Sequence, residues 1–263
     1  MKFHRIAALF ERHIYLYKRS LPRLMEIFYW PLLDLLVWGF ITVYLAQFRQ
    51  SLPGFVTFFI GALILWDILF RSQQGISVSF LEDVWAKNLL NLFASPLSPT
   101  EYILSLMLVS VVKLVTVATI MVALAWIFYS FNIFLIGISL IPFVLNLIVM
   151  GWAIGIITTA LILRFGQEAE VLAWALGFLF MPISAVFYPV SVLPPFLQTI
   201  ARYVPASYVF EGMRDVISNG GLPFRELLWS SGLNAVYIFL AFLFFHWNFK
   251  IVKRKGLLVR IGE

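Results

Sequence analysis

The chain has no cysteine, few charges and only three histidines. Without cysteine there is no disulfide, no thiolate-held metal and no cysteine nucleophile. His4, His13 and His246 fall at the edges of apolar runs, and no H-E-x-x-H occurs. The converging ligands of a metal or acid–base centre are therefore missing, and a membrane-embedded enzyme is disfavoured. No G-x-x-x-x-G-K-[ST] occurs, so the chain does not read as a P-loop ATPase. Glycine and proline follow no fixed short period, which excludes a soluble repeat array. Charged residues make up 12% of the chain, about half their share of a soluble domain.

What is present is apolar: 62% of the 263 residues are hydrophobic and 17% aromatic. A soluble core of this length cannot hide that surface. Six stretches are long enough to cross a bilayer, near 26–47, 55–80, 101–128, 133–163, 171–188 and 227–249. Continuous runs rather than short alternating ones predict helices, not a barrel. The fold class expected is an all-α integral membrane protein, one transmembrane domain over 1–263. Within it, 3–21 forms an amphipathic interfacial helix, 26–249 the six-helix membrane domain and 250–263 a basic tail. The first long apolar run begins only near Ile27, so no cleaved signal is read.

Basic residues orient the spans. Lys2, Arg5, Arg12, Lys18, Arg19, Arg23, Lys87, Arg164, Lys250, Lys253, Arg254, Lys255 and Arg260 share one side; Arg49, Arg202, Arg214 and Arg225 take the other. Both termini are expected in the cytoplasm. A net charge of +6 is thereby assigned to membrane edges, not to nucleic acid. In 3–21, Phe3, Ile6, Leu9, Phe10, Ile14, Tyr17 and Leu21 recur at helical spacing, with Arg5, Arg12 and Arg19 opposite. That pattern predicts a helix lying on the cytoplasmic membrane surface.

Between the second and third spans stands SFLEDVWAKNLLNLFASPLSPTEYILS, Ser79 to Ser105. Ser79 is a plausible helix start, with Glu82 and Asp83 in a first turn where acids suit the dipole. A short helix over about 83–93 is expected to present Trp85, Leu89, Leu90 and Leu92 beside Lys87, Asn88 and Asn91. Ser98 or Thr100 can cap the next helix, with Glu101 near its start. An exposed helix of this kind wants a partner. A second loop, RFGQEAE, brings Arg164, Gln167 and Glu168 to the same side.

The late segment FYPVSVLPPFLQTIARYVPASYVFEGMRD, Phe187 to Asp215, interrupts the apolar pattern with Pro189, Pro194, Pro195 and Pro205. This segment and SPLSPTEYI, together with the order of amphipathic helix, six spans and late break, resemble ABC-2 type transporter permeases over essentially the whole chain. The resemblance implies the membrane subunit of an ATP-driven exporter, built as a dimer, by default of two identical copies. It implies a separate P-loop ATPase that holds ATP and Mg, and no cofactor on this chain. The coupling residues would be Glu82, Asp83, Trp85, Lys87, Asn88, Leu89 and Asn91. The late prolines, with Glu211 and Arg214, would lie on short re-entrant helices, about 194–203 and 206–218, that close the outer end of the pathway. Drugs, lipids, lipid-linked glycans and heme-like molecules are substrates of proteins that look like this, and a bacterial inner membrane would be the setting.

Four charges fall inside predicted spans: Asp34, Asp67, Arg71 and Lys113. Asp67 and Arg71, four apart, share a helix face and can pair. An unpaired charge at mid-bilayer costs about 2.5–3.5 kcal/mol, so Lys113 should find Asp34, Asp67 or a wet cavity. The competing function from these residues is an ion-coupled secondary transporter using Asp34, Asp67 and Lys113. The sequence lacks the inverted halves with matched broken helices that many such folds show. GWAIG, Gly151 to Gly155, is a G-x-x-x-G that permits close helix contact.

Overall fold

The computed structural model describes residues 2–48 and 55–256. Arg49 and Arg260, used above for orientation, lie outside the described residues. Ten α-helices follow in order: α1 (Phe3–Lys18), α2 (Leu21–Phe48), α3 (Phe55–Trp85), α4 (Leu89–Ala94), α5 (Pro99–Tyr129), α6 (Leu140–Phe165), α7 (Leu172–Ile183), α8 (Pro195–Ala201), α9 (Pro205–Asn219) and α10 (Phe224–Arg254). Short 3-10 segments precede and follow α6 and precede α8. No strand occurs among the described residues.

α3 is the axis of the bundle, buried almost without interruption from Ile60 to Val84. It packs on α6, α5, α2 and α7, and α6 in turn packs on α10. The α3–α6 contact is close because Gly151 and Gly155 lie on it. A Cβ built at Gly151 would stand 2.5 Å from the Leu69 carbonyl oxygen, and one at Gly155 2.8 Å from that of Gln73. The G-x-x-x-G expectation is thus met, with α3 as the neighbour. Buried amides pin other pairs. Asn234 of α10 donates to both oxygens of Asn146 on α6 at 2.9 Å. Gln73 of α3 donates to the Ala173 carbonyl of α7 at 3.0 Å. In an apolar surround such bonds fix register, since an orphaned amide is costly.

Among the described residues, five helices are long and apolar enough to cross a membrane: Leu21–Leu45, Val56–Trp85, Pro99–Tyr129, Ile136–Ala169 and Phe224–Arg254. The sixth expected crossing, 171–188, is not among them. Its helix, α7, has only 12 residues. At 1.5 Å per residue that is roughly 18 Å, well short of a bilayer core of about 30 Å. The segment nevertheless runs the length of α3. Glu170 meets Trp85, Ala173 meets Gln73, Phe178 packs on Phe70, and Phe187 stacks on Phe59. Its last five residues, from Ser184, are not helical, and Ala185 adopts φ 52.

A correction concerns the helix expected over 83–93. α3 continues through Trp85, so Ser79 is no helix start and Glu82 and Asp83 close α3 instead of opening a new helix. Lys87 adopts the left-handed conformation at φ 53. The Asn88 amide bonds back to the Asp83 carbonyl and the Lys87 amide to that of Val84. This double bond pattern is a Schellman closure. Only Leu89–Ala94 remains as α4, six residues long. The start of α5 is as expected: Ser98 and Glu101 form a reciprocal capping box with Pro99 at the first helical position.

At the opposite end, the proline breaks fall where the sequence puts them. α8 starts at Pro195 behind Pro194, α9 starts at Pro205, and α9 ends at Asn219 before Gly220 with φ 71. The α8–α9 corner lies against α10, with Val204 and Pro205 buried and Arg202 and Tyr203 exposed. Ser230 donates to the Pro205 carbonyl and Tyr237 to that of Tyr203. Those contacts lie six and 13 residues past the start of α10 at Phe224, so the corner is roughly 10–20 Å inward of it.

Candidate functional site

Three groups of residues carry chemistry. The first is at the end of the bundle that holds α1. Glu82 and Asp83 sit at the C-terminus of α3, where the helix dipole disfavours acids. Both are buried, so cations must come to them. α1 supplies these. Arg12 pairs with Asp83 at 2.7 Å, and His13 stands 3.5 Å from the same carboxylate. Tyr102 of α5 donates to Asp83 at 2.8 Å. Tyr17 donates to Glu82, and Arg23 of α2 lies 4.0 Å from it. Next to Tyr102 in sequence, Glu101 accepts from the Lys2 amide at 2.7 Å and pairs with Arg5 at 3.6 Å. This corrects two expectations. Ile6, Leu9, His13 and Tyr17 of α1 are buried against the bundle, and Arg5 and Arg12 turn toward it rather than away. Glu82 and Asp83 are internal and do not present themselves to a partner.

What remains exposed there is Trp85, Lys87, Leu90 and Asn91, with Asn88 half-buried. Leu89 is a further correction: it is 3% exposed and part of the core beneath α4. Trp85 donates through its indole N–H to Glu170 at 3.1 Å, which joins the α3–α5 connection to the α6–α7 connection. Gln167 and Glu168 are exposed beside it. Arg164 turns inward instead, donating to Asn248 at 3.4 Å with its guanidinium 5.5 Å from the Trp247 ring. The outcome is one surface of aromatic, aliphatic and amide groups drawn from two connections.

The second group is in the interior. Arg71 donates to Asp67 at 3.1 Å and to Gln74 at 2.9 Å, so the pairing read from their spacing holds. Lys113 is elsewhere. It donates to Ser79 at 2.8 Å and to the Tyr17 hydroxyl, with its ammonium 4.0 Å from the Tyr17 ring centroid. Asp67 is 12 residues from Ser79 on α3, roughly 18 Å along the helix. Of the surroundings expected for Lys113, Asp67 is therefore out of reach, and a cavity is what it lines. A cavity of about 50 Å³ between α1, α2, α3 and α5 is lined by Tyr17, Arg23, Arg71, Gln74 and Lys113, among others. Asp34 is exposed on α2, a face with little packed over it.

The third group is Arg214 on α9. It donates to the carbonyls of Ala185, Tyr188 and, at 3.4 Å, Val186, pairs with Glu211 at 3.2 Å, and stands 4.9 Å over the Phe58 ring. Glu211 also accepts from the Val190 amide at 2.6 Å. Burial pulls Arg214 below the ordinary arginine value, and the Glu211 carboxylate opposes that. These two side chains satisfy the backbone that α7 leaves unpaired where it stops being helical. Pro189, Pro194 and Pro195 line the chain just outside, while Pro205 is buried at the corner. Sequence reasoning named Glu211 and Arg214 but missed their partners, as it missed His13, Tyr17 and Tyr102. The partners are carbonyls and aromatics remote in sequence, with no motif to mark them.

A comparison with curated proteins finds no match. A family model described as "ABC-2 family transporter protein" matches residues 36–247. That range takes in α3 to α9 whole, the second half of α2 from residue 36 and most of α10. The chain is a multi-pass membrane protein and belongs to the ABC-2 transporter family.

Proposed function

We propose that this chain is the permease subunit of an ATP-driven exporter. It pairs with a second copy to enclose the pathway and is driven by a separate P-loop ATPase that carries ATP and Mg. In this reading 171–188 counts as a sixth crossing and both termini face the cytoplasm, as the basic residues favour. A bacterial inner membrane is the proposed setting. The α8–α9 hairpin enters the outer leaflet and closes the pathway there. The substrate is an amphiphile such as a drug, lipid or glycan carrier. The observation that carries the coupling proposal is the joined surface of Trp85, Lys87, Leu90, Asn91, Gln167 and Glu168, which is exposed among the described residues. An aromatic and aliphatic patch rimmed by amides and charges has the make-up of a protein contact.

The test is a pull-down of the tagged chain from solubilised membranes of its native host. A P-loop ATPase should come down with the intact chain and be lost with Trp85→Ala/Leu90→Ala. Leu89→Ala, a core change, should lower thermal stability instead. If no ATPase accompanies the intact chain, the coupling proposal is wrong.

A further inference from the structure

The bend between α1 and α2 carries an open groove of about 550 Å³, lined by Arg12, Tyr15, Leu16, Arg19, Ser20 and Arg23. Three guanidinium groups from two helices face one space. Two are fixed from behind: Arg12 by Asp83 and Arg23 by Glu82, acids whose side chains are only 1% and 5% exposed. The arginines themselves stay about one-third open, at 30% and 32%. A guanidinium carries five N–H donors. One carboxylate behind it therefore orients the group and leaves donors aimed into the groove. Arg19, at the end of α1, is exposed and adds a third.

The surroundings indicate what kind of anion fits. The bend is where α1 ends and the first candidate span, Leu21–Leu45, begins. Beyond it, α2 carries large exposed apolar side chains along its length, Leu21, Met25, Tyr29 and Trp30 among them. A basic groove at the head of an apolar candidate span complements a molecule with an anionic head and a hydrocarbon tail. We infer that this groove binds the phosphate headgroup of an anionic phospholipid of the leaflet facing α1. Bidentate arginine–phosphate contacts and basic interhelical pockets on the cytoplasmic side are the usual means of holding such heads. The inference rests on the proposed placement of α1 at the cytoplasmic membrane surface. It does not depend on the ATPase.

The test is native mass spectrometry of the purified chain titrated with phosphatidylglycerol, phosphatidylcholine or inorganic phosphate. The intact chain should retain phosphatidylglycerol over phosphatidylcholine, and millimolar phosphate should not displace it. Near a membrane surface each arginine contributes roughly a fivefold factor in affinity. Arg19→Gln breaks no described ion pair and should weaken phosphatidylglycerol about fivefold. Arg19→Gln/Arg23→Gln should weaken it about 30-fold on the same basis. Lys250→Gln/Lys253→Gln, equal in charge but on α10, should change nothing. Equal retention of the two lipids, equal loss in the lysine variant, or displacement by phosphate would each overturn the inference. So would loss of the co-purifying ATPase in Arg19→Gln with lipid preference intact, which would make the groove a protein contact.

Discussion

Arg12 and Asp83 should respond unequally to removal, and the inequality tests the account of how α1 is held. At 2.7 Å their gross attraction is about 6 kcal/mol in an effective dielectric of about 20, most of it offset by desolvation. The two ends differ in what is left behind. In Arg12→Ala, the Asp83 carboxylate stays buried, at 1% exposure, with Tyr102 and His13 as remaining partners. Stranding a buried charge costs about 3–5 kcal/mol when nothing else holds it; with two partners remaining, about 2–3 kcal/mol is expected. In Asp83→Asn, Arg12 is 30% exposed and can turn to water, and the amide still accepts from Tyr102. About 1 kcal/mol is expected there. The readout is amide exchange along α1, where 2–3 kcal/mol is roughly a 30- to 150-fold rise in opening and 1 kcal/mol about fivefold. The double variant should sit near Asp83→Asn alone, because the stranded charge is gone. An Asp83→Asn effect equal to or larger than that of Arg12→Ala would refute the reasoning. It would mean that Arg12, not the acid, is the group that cannot reach solvent.

Further outcomes follow from the same geometry. Gly151→Ala should cost about 1–3 kcal/mol by forcing α6 off α3, read as a lower unfolding midpoint in detergent; Gly232→Ala, whose Cβ would meet nothing within 4 Å, should cost nothing. Arg214→Lys keeps the charge but cannot serve three carbonyls and Glu211 together, so a loss of about 2 kcal/mol is expected in the same assay. Lys87→Gly should relieve about 1 kcal/mol of left-handed strain and slow exchange of the Asn88 amide, which bonds to the Asp83 carbonyl.

Much of the fold was legible because lipid solvent enforces a simple rule. Long apolar runs must be helices, and five of the six expected spans are helices of spanning length. Local signals also carried through: the Ser98–Glu101 box, the glycines at 151 and 155, and the prolines that start α8 and α9. What failed depended on distant partners. Glu82 and Asp83 look like an N-terminal turn until α1 and the start of α2, about 60–70 residues earlier in the chain, bring Arg12 and Arg23 to the end of α3. Leu89 looks like part of an exposed face because its burial comes from the core beneath α4. The run 171–188 is apolar throughout, yet its helix stops at Ile183 because Arg214 and Glu211 offer the backbone other partners.

That last arrangement constrains motion at the far end of the bundle. The carbonyls of Ala185, Val186 and Tyr188 share one guanidinium, carried on α9. Were α9 to swing out alone, these oxygens and the Val190 amide would lose their partners in a place with little water, at several times thermal energy each. The end of α7 and the hairpin therefore travel as one body. At the margin of that body stand Gly220 and Gly221, both with positive φ and with nothing within 4 Å of a built Cβ. A door at this end of the molecule would be hinged after α9 and would carry the frame of α7 with it.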